Sequence, residues 1–347
     1  MAEKPVLLYH EDFKLHDPSP YYHPENPRRL AIALEGLRRY KLMERLELRE
    51  PGKGDPRVFR EVHSSSYVDM IISTGVNHVE WLDPDTYVSP GTYPALERLA
   101  GAAVEAAELA ISGRTVLILP RPPGHHAGRS GRGLGAPTLG FCLLNTVALI
   151  VSRIEVKGLK VAVIDFDVHH GNGTQDIFYS EGPLHIDMHQ DSATIYPGTG
   201  FPSQVGEDKA RGLMVNINLP PGAGDDIGLD AVRKALGFME DYDPDIVVVS
   251  AGFDGYRGDN PMASLELGSA YYHTIGSGLA GLDLLSVVVV LEGGYGSGLS
   301  EALPAFIYGL LSLEDPVADE RKSSSNHAWA WYRRRLRELE EALGQSI

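Results

Sequence analysis

The sequence predicts an α/β fold: a single domain with a mainly parallel central sheet and helices on both faces. Three observations carry that expectation. Short β-branched and aliphatic runs, such as Val161 to Ile164, Asp245 to Ser250 and Val287 to Leu291, have the apolar character of strands buried on both faces. Ala/Leu/Glu-rich or striped segments alternate with them, as crossover helices do. No repeat period and no break in composition divides the 347 residues, so one domain is expected over 1–347, with a helical extension at 320–347.

Taken in order, Val6 to His10 reads as a first strand. A Pro-rich loop follows, and Asn26-Pro27 opens a helix with Pro in its first turn. Leu30, Leu34 and Leu37 give that helix an apolar stripe. Glu47 to Glu50 is a short strand, and Trp81 to Pro94 is rich in turn residues. Ala95 to Ile111 is strongly helical by composition. Thr115 to Leu119 is a buried strand that runs into RPPGHHAG. The Gly-rich stretch after it has neither the ending of a phosphate loop nor dinucleotide spacing, and reads as a mobile rim. Gly140-Phe141-Cys142 is expected to open a helix to Arg153.

Strands are then expected at Val161 onward, Leu184 to His189, Leu213 to Leu219, Asp245 to Ser250 and Val287 to Leu291. Helices are expected over Ile227 to Tyr242, Leu267 to Leu285, Ala302 to Ser312 and His327 to Leu343. The last carries Trp329, Trp331 and Tyr332 and is expected to pack by that aromatic end on the body or on a partner chain.

The formal net charge of −16 disfavours nucleic acid, whose binding leans on Lys and Arg, and tolerates a cationic substrate. One cysteine, Cys142, excludes an intramolecular disulfide and a Cys-based zinc site, and fits a reducing cytoplasm. No stretch is apolar and long enough to span a membrane. The N-terminus lacks a signal-peptide core.

The chemistry concentrates in VAVIDFDVHHGNGTQ, Val161 to Gln175. Strand alternation would leave Asp165, Asp167 and His169 on one side of the strand end. Burying two carboxylates and an imidazole is costly unless a cation joins them. Asp254, just past another strand, reaches the same sheet edge. One His and two carboxylates with a position open for water form a catalytic metal site, which zinc suits; iron, cobalt and manganese use the same donors. His125 and His126, after the stiff Pro122-Pro123-Gly124 turn, are placed to move protons. Asp165 is placed to orient one imidazole. Tyr295, after two glycines, is placed to donate to an oxyanion.

RPPGHHA, GFC, DFDVHHGNGTQ, SAGFD and EGGYG, in this order, resemble the histone deacetylase family, which includes bacterial and archaeal deacetylases and acetylpolyamine amidohydrolases and shares the arginase-like fold. HPENPRR and Asn172 resemble its class II branch. The resemblance covers residues 6–315. It implies one zinc ion per chain on Asp167, His169 and Asp254. It implies catalytic roles for His125, His126, Asp165 and Tyr295, with Asn172 behind His126. It implies acyl-tunnel walls at Phe141 and Tyr196, a rim carboxylate at Asp85, and Gly294 and Met262 as further substrate contacts. A potassium ion would sit on backbone carbonyls of Asp165, Asp167 and His169, near Asp187 and Met188.

Departures are specific. Asn172 stands where class I members have Asp, so His126 should be less basic. Gly255-Tyr256 replaces the usual Ala-His after Asp254, and Leu144-Asn145-Thr146 replaces paired asparagines. The activity implied is removal of acetyl, or another short acyl group, from lysine side chains or related amines, by attack of a water activated on zinc. An acetylpolyamine substrate and a non-catalytic acyl-lysine binder are the alternatives; the binder should have lost a ligand or the tyrosine. An arginase-like two-manganese site would need further bridging carboxylates where the chain has His170-Gly171-Asn172. A homo-oligomer is compatible; nucleic-acid and membrane partners are not expected.

Overall fold

The computed structural model describes residues 3–345. Its main sheet contains β1 (Val6–Leu8), β2 (Glu47–Arg49), β5 (Val116–Ile118), β8 (Val161–Asp165), β9 (Leu184–Gln190), β10 (Met214–Leu219), β11 (Ile246–Ala251) and β12 (Ser286–Leu291). The strand order is β10-β9-β8-β11-β12-β5-β1-β2, and every neighbouring pair is parallel. The central strands are buried along their whole length, which is why they are written in Val, Ile and Leu without polar alternation.

Nine helices cover this sheet among the described residues: α1 (Arg28–Arg39), α2 (Ser65–Ser73), α3 (Thr92–Ile111), α4 (Thr146–Glu155), α5 (Asn172–Phe178), α6 (Asp225–Tyr242), α7 (Ser269–Gly281), α8 (Leu299–Leu310) and α9 (Asn326–Leu343). α3 packs on α4, while α1, α8, α7 and α6 pack in succession as a second layer. The predicted stripe Leu30, Leu34 and Leu37 is the buried face of α1. Each such leucine contributes roughly 1.5–3 kcal/mol by leaving water.

The topology positions the site. The chain lays down β1, β2 and β5, crosses to β8, continues outward through β9 and β10, and returns to place β11 and β12 between β8 and β5. The winding direction therefore reverses beside β8. In open parallel sheets the crevice for ligands lies at such a reversal, past the strands' C-terminal ends.

Four expectations change in detail. Trp81 to Pro94 contains an antiparallel hairpin, β3 (Glu80–Asp83) and β4 (Thr86–Val88). Its strands are too short to show against the Pro and Asp turn signals between them. The helix expected from Gly140 begins only at Thr146. Gly140 and Phe141 both have positive φ, 55° and 71°, and Asn145 caps the helix by accepting from Ala148 N at 2.9 Å. The Gly-rich rim folds into the two-residue strands β6 (Ala127–Gly128) and β7 (Gly131–Arg132). The helix expected over Leu267 to Leu285 spans only Ser269–Gly281.

At the other end of the chain, α9 is capped by Ser325 and lies against the edge strand β10. Tyr332 is fully buried there, and Trp329 Nε1 donates to Asp226 at 2.9 Å. Covering an edge strand with a helix removes its free backbone groups from competing partners.

Candidate active site

β8 ends at Asp165, so strand alternation does not carry Asp167 and His169 to the site. Two consecutive side-chain turns do. Asp165 Oδ1 accepts from Asp167 N at 3.0 Å, and Asp167 Oδ1 accepts from His169 N at 2.9 Å. Short carboxylates compete with strand ladders in this way and coil the chain. Asp254, three residues past β11, is drawn to the same loop by Val168 N, which donates to its Oδ1 at 3.1 Å.

The three groups converge. His169 Nδ1 lies 3.0 Å from Asp167 Oδ1 and 3.1 Å from Asp254 Oδ2, and one donor atom from each residue falls within 4.8 Å of the others. Gly293 N donates to Asp167 Oδ2 at 2.8 Å. A Cβ on Gly252 or Gly293 would collide with the Asp167 carboxylate, so these positions admit only glycine at such close approach. Burial opposes the charge on His169, but Asp254 and Asp167 outweigh it and push the imidazole up to about 9. Burial, reinforced by Asp167, raises the Asp254 carboxyl. Two buried carboxylates flanking one imidazole nitrogen are the donor set of a hard or borderline divalent cation, and an ion there would remove the repulsion between them.

The tandem histidines follow β5. His125 Nδ1 is 3.0 Å from Asp165 Oδ2, and His126 Nδ1 is 2.6 Å from the amide oxygen of Asn172. The two rings are 4.0 Å apart. Their environments differ. Burial works against a charge on His125, but the carboxylates of Asp165 and Asp167 overcome it and hold the ring well above its ordinary value. Burial, and then the charges of His125 and His169, hold His126 well below it. The pair is thus one proton-rich and one proton-poor imidazole.

Phe141, Tyr196, Asp85, Met262, His126, His169 and Tyr295 line one cavity of about 680 Å³. Tyr196 donates its hydroxyl to Thr138 O at 3.0 Å. Asp85 accepts from Thr138 Oγ1 at 2.5 Å and Thr86 Oγ1 at 2.8 Å, and Thr86 Oγ1 also receives Phe141 N at 3.0 Å. Met262 is 76% exposed at the cavity lip. Gly294 does not line the cavity; its carbonyl is taken by Arg29 Nε at 2.6 Å. Of the residues expected around potassium, Asp165 and Asp187 form a buried group with His185, and Met188 is buried in β9.

Several residues beneath the site had no role assigned from sequence. Arg29 donates to the carbonyls of Glu292 and Gly294 and sets its guanidinium 4.6 Å from the centre of the Tyr295 ring. Glu25 pairs with Arg29 at 3.1 Å and doubly with Arg121, all of it buried. Glu292 Oε2 accepts from Gly124 N and His125 N at 2.8 and 3.2 Å, which fixes the histidine turn. His170 and His189 surround Asp187. HPENPRR, RPPGHH and EGGYG contained Glu25, Arg29, Arg121 and Glu292, but charge alone in a motif does not say what it pairs with.

Residues 23–310 match the family model of the histone deacetylase domain. The chain belongs to the histone deacetylase family. A probable deacetylase of Archaeoglobus fulgidus is 34% identical over 317 residues, covering 88% of this chain and 85% of that protein. A histone deacetylase-like amidohydrolase of Pseudomonas aeruginosa is 33% identical, covering 84% and 75%. The crystal structure of the HD domain of HDA15 superposes with a TM-score of 0.85 at 29% identity, covering 99% of this chain and 97% of that one. Membership places this chain among the histone deacetylase-family hydrolases. No helix is long and apolar enough to cross a membrane among the described residues.

Proposed function

We propose that the protein is a zinc-dependent amidohydrolase that removes acetyl, or another short acyl group, from lysine side chains or related amines. The observation that carries this reading is the junction of Asp167, His169 and Asp254 at a cavity also lined by Phe141, Tyr196, His126 and Tyr295. Asp167, His169 and Asp254 would hold the zinc, which would supply Lewis acidity toward the amide carbonyl and acidify a water.

The chain's own groups complete the reaction. Phe141 and Tyr196 form apolar walls around an extended aliphatic stem and keep bulk water from it. His126, proton-poor and exposed to the cavity, takes a proton from the nucleophile; His125, braced by Asp165, holds positive charge beside it. Burial raises the Tyr295 phenol well above its ordinary value, so it stays protonated and donates to the oxyanion. The leaving amine takes its proton from the same pair. Asp85, held by two threonine hydroxyls, has acceptor capacity left for a backbone N–H of a peptide substrate. A potassium ion on the backbone carbonyls of Asp165, Asp167 and His169, near Asp187 and Met188, would belong to the same reading, as would a place in a reducing cytoplasm.

An acetylpolyamine is the second substrate class. An exposed thioether at the lip, Met262, supplies no carboxylate to draw in a second ammonium, which favours the lysine side chain. The test is steady-state hydrolysis of a fluorogenic acetyl-lysine peptide and of N-acetylputrescine by the zinc-loaded protein and by Tyr295→Phe. Turnover that collapses in the variant supports the reading. Zinc binding without turnover of either substrate rejects acetyl removal in favour of a longer acyl group or a binding module.

A further inference from the structure

α9 lies beyond the residues matched by the family model, yet it is tied to the cavity wall. The tie is Asp191, the residue after β9, which is fully buried. Its carboxylate receives Arg335 at two points, Nε at 2.6 Å and Nη2 at 2.9 Å, and Trp331 Nε1 at 2.7 Å. The same residue starts the turn into the wall. Its carboxylate accepts from Ala193 N at 3.0 Å, and its carbonyl accepts from Thr194 N at 2.8 Å and Thr194 Oγ1 at 2.7 Å. Thr194, Ile195 and Tyr196 then line the cavity.

The preceding residue, Gln190, ties in a second lining segment. Its side-chain amide donates to Thr194 Oγ1 at 3.1 Å and accepts from Ser264 N at 2.7 Å. Ser264 follows the lip segment that carries Asn260, Pro261 and Met262. Two of the segments that line the cavity are thus tied to Gln190-Asp191, and Asp191 is held in turn by the C-terminal helix.

We propose that α9 is a clamp on the substrate-binding wall, and that Arg335 and Trp331 are positioning residues that hold Tyr196 in register with the acyl chain. A buried carboxylate that loses its cation must move toward water or take a proton. Either outcome loosens the turn from Asp191 to Thr194, leaving Tyr196 held by its hydroxyl on Thr138 O and by the edge contacts of its ring with His126 and His169. The metal-holding groups, the histidine pair and Tyr295 follow β5, β8, β11 and β12, inward of β9 in the sheet. Loosening the wall therefore weakens substrate binding without dismantling the chemistry.

The proposal rests on the deacetylase reading for its kinetic readout, and on backbone exchange for a readout independent of it. Zinc-loaded Arg335→Met, Arg335→Lys and Trp331→Phe are compared with Arg337→Met, which loses the same charge from an exposed position on the same helix. Arg335→Met should raise KM for the acetyl-lysine peptide about tenfold with kcat within about twofold, a loss of the size of one charge-assisted hydrogen bond. Arg335→Lys should lie between it and the parent. Amide hydrogen exchange over residues 192–201 should quicken in Arg335→Met and not in Arg337→Met. A KM and an exchange pattern indistinguishable from Arg337→Met overturn the clamp. If no form turns over substrate, the deacetylase reading fails and the exchange comparison alone decides the clamp. If Arg335→Met does not fold, Trp331→Phe, which removes one N–H, takes its place with the same criteria.

Discussion

His126 faces the amide oxygen of Asn172 at 2.6 Å, whereas its neighbour His125 faces the carboxylate of Asp165 at 3.0 Å. The two rings differ by one formal charge in what stands behind them. Burial, with the charges of His125 and His169, already holds His126 low. Asn172→Asp adds a negative charge beside its Nδ1 and should raise that pKa. Where the base must be neutral, the acid limb of kcat/KM then moves to higher pH. A pH–rate profile of Asn172→Asp whose acid limb stays with the parent's would remove His126 from the base role.

Two glycines should respond in opposite directions to the same substitution. Gly293→Ala drives a methyl against the carboxylates of Asp167 and Asp254. It should lower stability by roughly 1–3 kcal/mol and lower zinc retention with it. Gly237, inside α6, has open space around its Cβ. Gly237→Ala should raise stability by about 0.5–1 kcal/mol. Thermal unfolding of the zinc-free proteins, with zinc content measured separately, checks both.

Arg29 touches both the chain that carries Tyr295 and the face of its ring. Arg29→Lys keeps a cation near Glu25 but cannot span the carbonyls of Glu292 and Gly294. The expected result is a kcat lower by on the order of tenfold to a hundredfold, with KM little changed, because Tyr295 acts on the transition state. A raised KM at full kcat would place Arg29 in substrate binding instead.

Met262 leaves its part of the lip without charge, while Asp85 lines the same cavity. Met262→Glu should raise kcat/KM for N-acetylputrescine relative to the acetyl-lysine peptide by about fivefold at low salt, the size of one exposed ion pair. The gain should fade as salt rises. A ratio that does not move would mean that the distal amine never reaches this lip.

Much of the site is legible in the sequence, because its signals are local. Val161 to Ile164 states a buried strand, and the polar cluster after it states a strand end that needs charge compensation. His125 and His126 follow a stiff turn behind another such strand. These arguments use only neighbours in sequence; they name side chains that the structure gathers at one sheet edge, although side-chain turns after β8, not strand alternation, bring Asp167 and His169 there. The same locality explains the errors. The short hairpin of β3 and β4 was hidden by its own turn, and the helix at Gly140 starts late because Gly140 and Phe141 take left-handed backbone conformations.

The linear chain settled which groups had to be buried, charged or paired, since burial pattern and donor chemistry are properties of residue type. Folding settled the partners, since those lie far apart along the chain. Asp167 meets Gly293 across 126 positions, Arg29 meets Gly294 across 265, and Asp191 meets Arg335 across 144. No periodicity or propensity encodes such distances. They arise because the parallel sheet brings the ends of β5, β8, β9, β11 and β12 to one edge, where a buried charge is stable only beside whatever partner the topology delivers.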